Sequence, residues 1–92
     1  MSGLNQSSGP RGFTDIDGRR FQLGGWELFE GDPASPHQCQ GWFTCQDPSF
    51  EARKNTVLHL TLIPREGGFR ELVVTITVND KPERLWQFVA RP

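Results

Sequence analysis

Four side chains near the middle of the chain, His37, Cys39, Cys45 and His59, are of the types that ligate zinc. Structural zinc sites usually hold their thiolates in close pairs such as Cys-x2-Cys, because both sulfurs must reach one ion. Here the cysteines stand six positions apart. On a single strand that spacing separates their Cα atoms by ~20 Å, beyond both metal-sharing and disulfide range, and only a turn at Gly41 would bring them together. The expectation is therefore two reduced, unbridged thiols in or near the core, with no metal and no other cofactor. Cys39 or Cys45 with His59 would also compose a nucleophilic pair. Neither cysteine lies in a catalytic signature, and His59 falls in mid-strand, where a neutral neighbour of threonine is the ordinary role.

Asp15-Ile16-Asp17-Gly18 has the look of a calcium loop's opening, but it fails on position. Counted from Asp15, the sixth residue is Arg20 where such a loop needs Gly, and the twelfth is Trp26 where it needs a bidentate Glu. Glu27, Glu30, Asp32, Glu66, Asp80 and Glu83 mostly fall beside expected turns, where solubility and turn chemistry account for them. No phosphate-cradling glycine loop and no serine-centred elbow is present. The chemistry-bearing residues weigh against an enzyme, and no catalytic residue is assigned.

The aromatic residues are harder to place. Trp26, Trp42 and Trp86 together would make a platform for sugar rings or bases, but Trp86 and Trp26 each fit a core role better. Trp42 adjoins Phe43, and neighbours on a strand point to opposite faces, so one of the two must point away from the core. An exposed aromatic on a small domain suits a protein contact better than a sugar site built from one ring.

The elements that must position these residues are β-strands. Ninety-two residues make one small domain. With seven Phe, three Trp, ten Gly and seven Pro, the chain has material for a core and for many turns. Residues 1–12 read as a flexible N-terminal tail, and residues 13–92 as a single, mainly antiparallel β domain. Asp17-Gly18 between short β-prone runs predicts a type I′ hairpin turn, which needs positive φ at both central residues. Phe21 and Leu23 share one parity while Trp26 and Leu28 share the other. A β-bulge at Gly24-Gly25 would keep all four in the core. Residues 31–38 read as a loop, residues 39–46 as a short strand, and residues 48–54 as at most one helical turn.

In the C-terminal half, hydrophobic matching selects the register. A three-residue Glu66-Gly67-Gly68 loop, with Gly68 left-handed, sets Leu62 opposite Leu72, Leu60 opposite Val74 and Leu58 opposite Ile76. A tight turn at Lys81-Pro82-Glu83 then sets Trp86 opposite Val78, Phe88 opposite Ile76 and Ala90 opposite Val74. These residues form the core face. The other face carries Val57, His59, Thr61, Ile63, Val73, Thr75, Thr77, Gln87 and Val89, which is neither clearly apolar nor strongly charged. A freely solvated sheet face would hold more Lys and Glu.

The expected architecture is all-β, a small sandwich or partly open barrel of five or six strands. Ten basic residues are matched by eleven acidic ones, which disfavours a nucleic-acid binder, since such proteins cluster Lys and Arg against phosphates. There is no long apolar run for a membrane span and no basic–apolar leader at the start, so cytoplasmic residence is expected. The expected function is non-catalytic binding to another protein, as an adaptor, inhibitor, immunity-type or assembly factor. Its candidate contacts are Trp42 or Phe43, the mixed face at His59, Thr75 and Gln87, and the flanking Arg19 and Arg20. Alternatives are a ligand-binding module for a glycan or single-stranded nucleic acid, a small metalloprotein or hydrolase around the Cys and His residues, and self-association through the mixed face.

The parity of Trp42 and Phe43 generates a test. Alanine at the outward member should leave folding nearly intact while weakening partner binding by ~2 kcal/mol or more. Alanine at the inward member should destabilise the fold by roughly 3–5 kcal/mol. Thermal melts read beside a partner pull-down check both, and equal destabilisation would put both rings in the core.

Overall fold

In the computed structural model, which describes residues 5–30 and 39–90, Asp17 and Gly18 both take positive φ, 51° and 81°. They form the two-residue turn expected of Asp-Gly, joining β2 (Arg11–Ile16) to β3 (Arg19–Leu23) with Ile16 opposite Arg19. The hairpin extends further than this pair of strands. β1 (Asn5–Gly9) runs directly into β2, and β3 runs through Gly24-Gly25 into β4 (Trp26–Glu30). Of the residues expected as a tail, 5–9 form β1, Pro10 is a bend and 11–12 begin β2; residues 1–4 lie outside the described residues, as does the expected 31–38 loop. An outer strand here is sustained by main-chain pairing to β4 rather than by apolar content, so its composition gives little sign of it.

β5 (Cys39–Thr44), β6 (Val57–Ile63), β7 (Arg70–Asp80) and β8 (Leu85–Ala90) complete the sheet, in the order β1-β4-β5-β8-β7-β6-β2-β3. All of its pairings are antiparallel. The architecture is all-β, and the sheet curls into a half-barrel. Among the described residues there are eight strands rather than five or six, because what reads as one hairpin is broken midway on both sides. No helix forms. Residues 47–50 make a turn instead, with Phe50 N–H donating to the Asp47 carbonyl at 3.0 Å and Asp47 Oδ1 accepting from Ser49 N–H at 2.9 Å. Among the described residues no helix is long and apolar enough to cross a membrane.

The break explains the parity change. Phe21, Leu23, Trp26 and Leu28 are all buried, as the sequence requires. The pairings Gly12–Leu23 and Gly9–Trp26 keep one register, so two residues intervene on each strand. The device is a paired break rather than a bulge with an extra residue on one side. At the break the glycines turn to β5: Gly24 N–H donates to the Thr44 carbonyl at 2.7 Å, and Thr44 N–H donates to the Gly25 carbonyl at 3.0 Å. The Trp26 indole N–H donates to the Arg11 carbonyl at 2.6 Å, satisfying a group at the interruption.

The two registers of the C-terminal half differ from those expected. Gly68 is left-handed, with φ 77°, but Leu60 lies opposite Leu72, Leu58 opposite Val74 and Leu62 opposite Arg70. The shift is two residues, so every side chain keeps its expected face. Pro64 has no N–H for a ladder; β6 stops at Ile63, and Gly67 N–H closes a turn on the Pro64 carbonyl at 3.0 Å. On β8, Phe88 and Ala90 face Ile76 and Val74 as expected, but Trp86 faces Asn79. The loop after Asp80 holds one more residue than expected, and an irregularity between Ile76 and Val78 compensates for it. Val78 is thereby turned outward and 41% exposed, instead of entering the core.

The inner face is filled by Leu58, Leu60, Leu62, Val74, Ile76, Phe88, Phe21, Leu28 and Phe43, all buried. Phe50 caps one end, 4.7 Å from the Trp86 ring edge-on and 5.3 Å from Phe21. Its loop is tied down from two sides. The Trp86 indole N–H donates to the Ala52 carbonyl at 3.1 Å, and the Arg84 guanidinium donates to the carbonyls of Cys45, Asp47 and Phe50.

Two glycines at the break give opposite expectations. A Cβ on Gly9 would stand 2.2 Å from the Ile63 carbonyl oxygen, whereas one on Gly25 meets nothing within 4 Å. Gly9→Ala should lower stability by roughly 1–3 kcal/mol through overpacking. Gly25→Ala should be neutral or raise it by up to about 1 kcal/mol through the unfolded chain's entropy. Denaturant unfolding of both variants checks this, and equal effects would refute the close approach of β1 to β6.

Candidate functional site

Strand alternation sorts the expected contact residues into three groups. Phe43 points inward and is fully buried, so it belongs to the core and is withdrawn as a contact. Trp42 points outward and is half-buried, opposite Gln87, with Val78 next in the same row. Thr75 lies on the same outer face between Val57 and Val89, and His59 lies opposite Val73. Arg19 and Arg20 diverge. Arg19 reaches over the Phe21 ring at 4.6 Å and toward Asp47 at 3.5 Å, whereas Arg20 points to the outer face.

Arg20 and His59 meet in an open groove of about 510 Å³ at the β2–β6–β7 side of that face. Its floor is set by cross-strand pairing, since Phe13 lies opposite Thr61 and Thr61 opposite Glu71. Asp15, Ile63, Gly68 and Phe69 complete the lining. Phe69 arrives on the long β6–β7 turn, whose Gly67 and Gly68 both take positive φ, and it is 73% exposed.

The electrostatics of the groove are nearly self-contained. Arg20 donates to both carboxylate oxygens of Asp15, at 3.0 and 3.3 Å, and its guanidinium lies 4.0 Å from the Phe13 ring centroid. The hydrogen bonds from Arg20 hold the Asp15 carboxyl below its ordinary value, and Asp15 in turn raises Arg20. His59 Nε2 stands 3.9 Å from Glu71 Oε1, too far for a hydrogen bond. Thr14, on the inner side, donates to the His59 carbonyl at 2.8 Å and fixes that strand position.

The cysteines take no part. Cys45 is buried and directs its thiol at the Gln22 carbonyl, 3.3 Å away, while Cys39 packs against the core; both are free thiols. Burial raises both thiols above their ordinary value, which disfavours the thiolate. With Cys45 and Cys39 on the inner side and His59 on the outer, the Cys–His pair does not form. Among the described residues no three His, Cys, Asp or Glu side chains come together as a metal site, and His37 lies outside those residues. The tryptophan platform does not form either, because Trp26 and Trp86 are both buried.

Phe13, Phe69 and Glu71 were not expected as site residues. Phe69 follows Gly67-Gly68, which marks it as a turn residue and nothing more. Phe13 reaches the groove only through the pairing of β2 with β6, and no local pattern predicts that pairing. No protein-family model, curated protein or solved structure matches the chain.

The Arg20–Asp15 pair has a defined pH signature. A carboxyl held below its ordinary value of 3.8 stabilises the fold above that pH, and the contribution disappears as pH falls through the lowered value. A carbon-13 NMR titration should place the Asp15 midpoint below 3.8 and return it toward 3.8 in Arg20→Gln. An unmoved midpoint would show that the pair does not persist in solution.

Proposed function

We propose that this chain is a non-catalytic module that binds another protein through the outer face of β6 and β7. The observation that carries the reading is the apolar exposure on that face. Val57 and Val73 are 63% and 58% exposed and lie diagonally across adjacent strands. Phe69, more exposed still, borders the groove beside them. A sheet face left to solvent usually carries charge, and contiguous exposed apolar residues rimmed by polar groups mark contact surfaces. His59, Thr75 and Gln87 interleave with the valines, while Arg20 and Trp42 stand toward the two sides. An apolar centre with a polar and aromatic surround is the composition of a protein interface.

The test uses Val73→Asp, an exposed position where the fold should be retained. Affinity capture from the native cell should recover a partner with the wild-type chain and lose at least about tenfold of it with the variant, the effect of a charge set into an interface centre. A partner retained equally by both would remove this face as the contact. Size-exclusion chromatography of the two proteins reports separately whether the partner is a second copy.

A further inference from the structure

We propose that the groove seats an arginine side chain of the partner protein, with its guanidinium between the Phe69 ring and the Glu71 carboxylate. The proposal rests on the protein-binding reading and names the chemistry of what is bound. At about 510 Å³ the groove falls within the size of small-ligand sites, ample for one long side chain.

The charges decide the occupant. Arg20 is already engaged by both Asp15 oxygens and by the Phe13 ring, so its charge is balanced within the groove. Glu71 is the remaining carboxylate of the lining, 59% exposed, and among the described residues its one ion-pair neighbour is His59, at 3.9 Å. An anionic ligand would have to displace Asp15 from Arg20 while facing Glu71. A cation meets one open carboxylate and one open aromatic ring. Phe69 supplies that ring, and the stem of the incoming side chain has Ile63 and Thr61 to lie against. Arg20 over Phe13 is the same interaction made within the chain, on a neighbouring part of the same groove. Arginine is favoured over lysine because a planar guanidinium can stack on a ring and pair with a carboxylate at once.

The experiment is an NMR titration of the nitrogen-15-labelled full chain with an end-capped pentapeptide of one arginine among glycines. Matched peptides carry lysine, norleucine or glutamate in its place. The arginine peptide should shift the amides of Gly68, Phe69 and Glu71, with the lysine peptide weaker. Glu71→Gln and Phe69→Ala, both at exposed positions, should each weaken binding roughly fivefold, the scale of one exposed ion pair or cation–ring contact. Absence of shifts, equal binding of the norleucine peptide, or preference for the glutamate peptide would each overturn the proposal. The wider reading is tested apart from it. A partner lost with Val73→Asp while the arginine peptide stays silent leaves the interface standing and removes the arginine site. A peptide that binds while capture ignores Val73→Asp does the reverse.

Discussion

The indole of Trp26, set into the paired break between Pro10-Arg11 and Gly24-Gly25, is the contact on which the rest of the structure depends. Without a break, one long hairpin would present Phe21 and Leu23 to one side and Trp26 and Leu28 to the other. With it, both halves turn the same face inward, and the two halves serve opposite ends of the sheet order: β1 and β4 lead to β5, while β2 leads to β6. The indole ring packs where Gly9 leaves no side chain, and its N–H satisfies the Arg11 carbonyl. The curl, and therefore the outward groove above Phe13 and Thr61, follows from that local re-phasing.

Local chemistry made much of this legible in the chain. The Asp17-Gly18 turn, the left-handed Gly68 and the inner and outer faces of β6, and of β7 as far as Ile76, follow from residue types and parity alone. Register is a finer property. The β6–β7 pairing is displaced by two residues because proline ends β6 early, and a displacement of two leaves every face unchanged. The β7–β8 pairing absorbs one extra loop residue at an irregularity, and there parity fails: Val78 is turned out and Asn79 in. For the site, His59 and Arg20 stand out one at a time. Their meeting with Phe13, Phe69 and Glu71 depends on β2 pairing with β6, a contact between distant stretches that no spacing encodes.

The polar contacts differ in what they contribute. Arg19–Asp47 and Lys81–Glu51 are exposed pairs at 3.5 and 3.9 Å, of a kind that adds little to stability. Arg84 holds three main-chain carbonyls of the loop that carries Phe50 across the end of the core. It does so from a left-handed backbone, φ 55°, a conformation that costs a non-glycine residue energy. That cost is consistent with a position chosen for where the guanidinium reaches rather than for the turn itself.

The pairing of β2 with β6, like that of β5 with β8, also bears on the tempo at which the molecule assembles. β7 and β8 adjoin in sequence and can zip from their turn, as can the Asp17-Gly18 hairpin. Arg11 and Ile63 are partners about fifty residues apart, so their strands meet only after the chain has surrendered the entropy of a long loop. Such non-local sheets fold on the millisecond-to-second scale, with distant contacts governing the rate. The groove is built across that same seam. Until the seam closes, Phe13 and Phe69 belong to separate parts of the chain, so the groove exists only once this long-range pairing has formed.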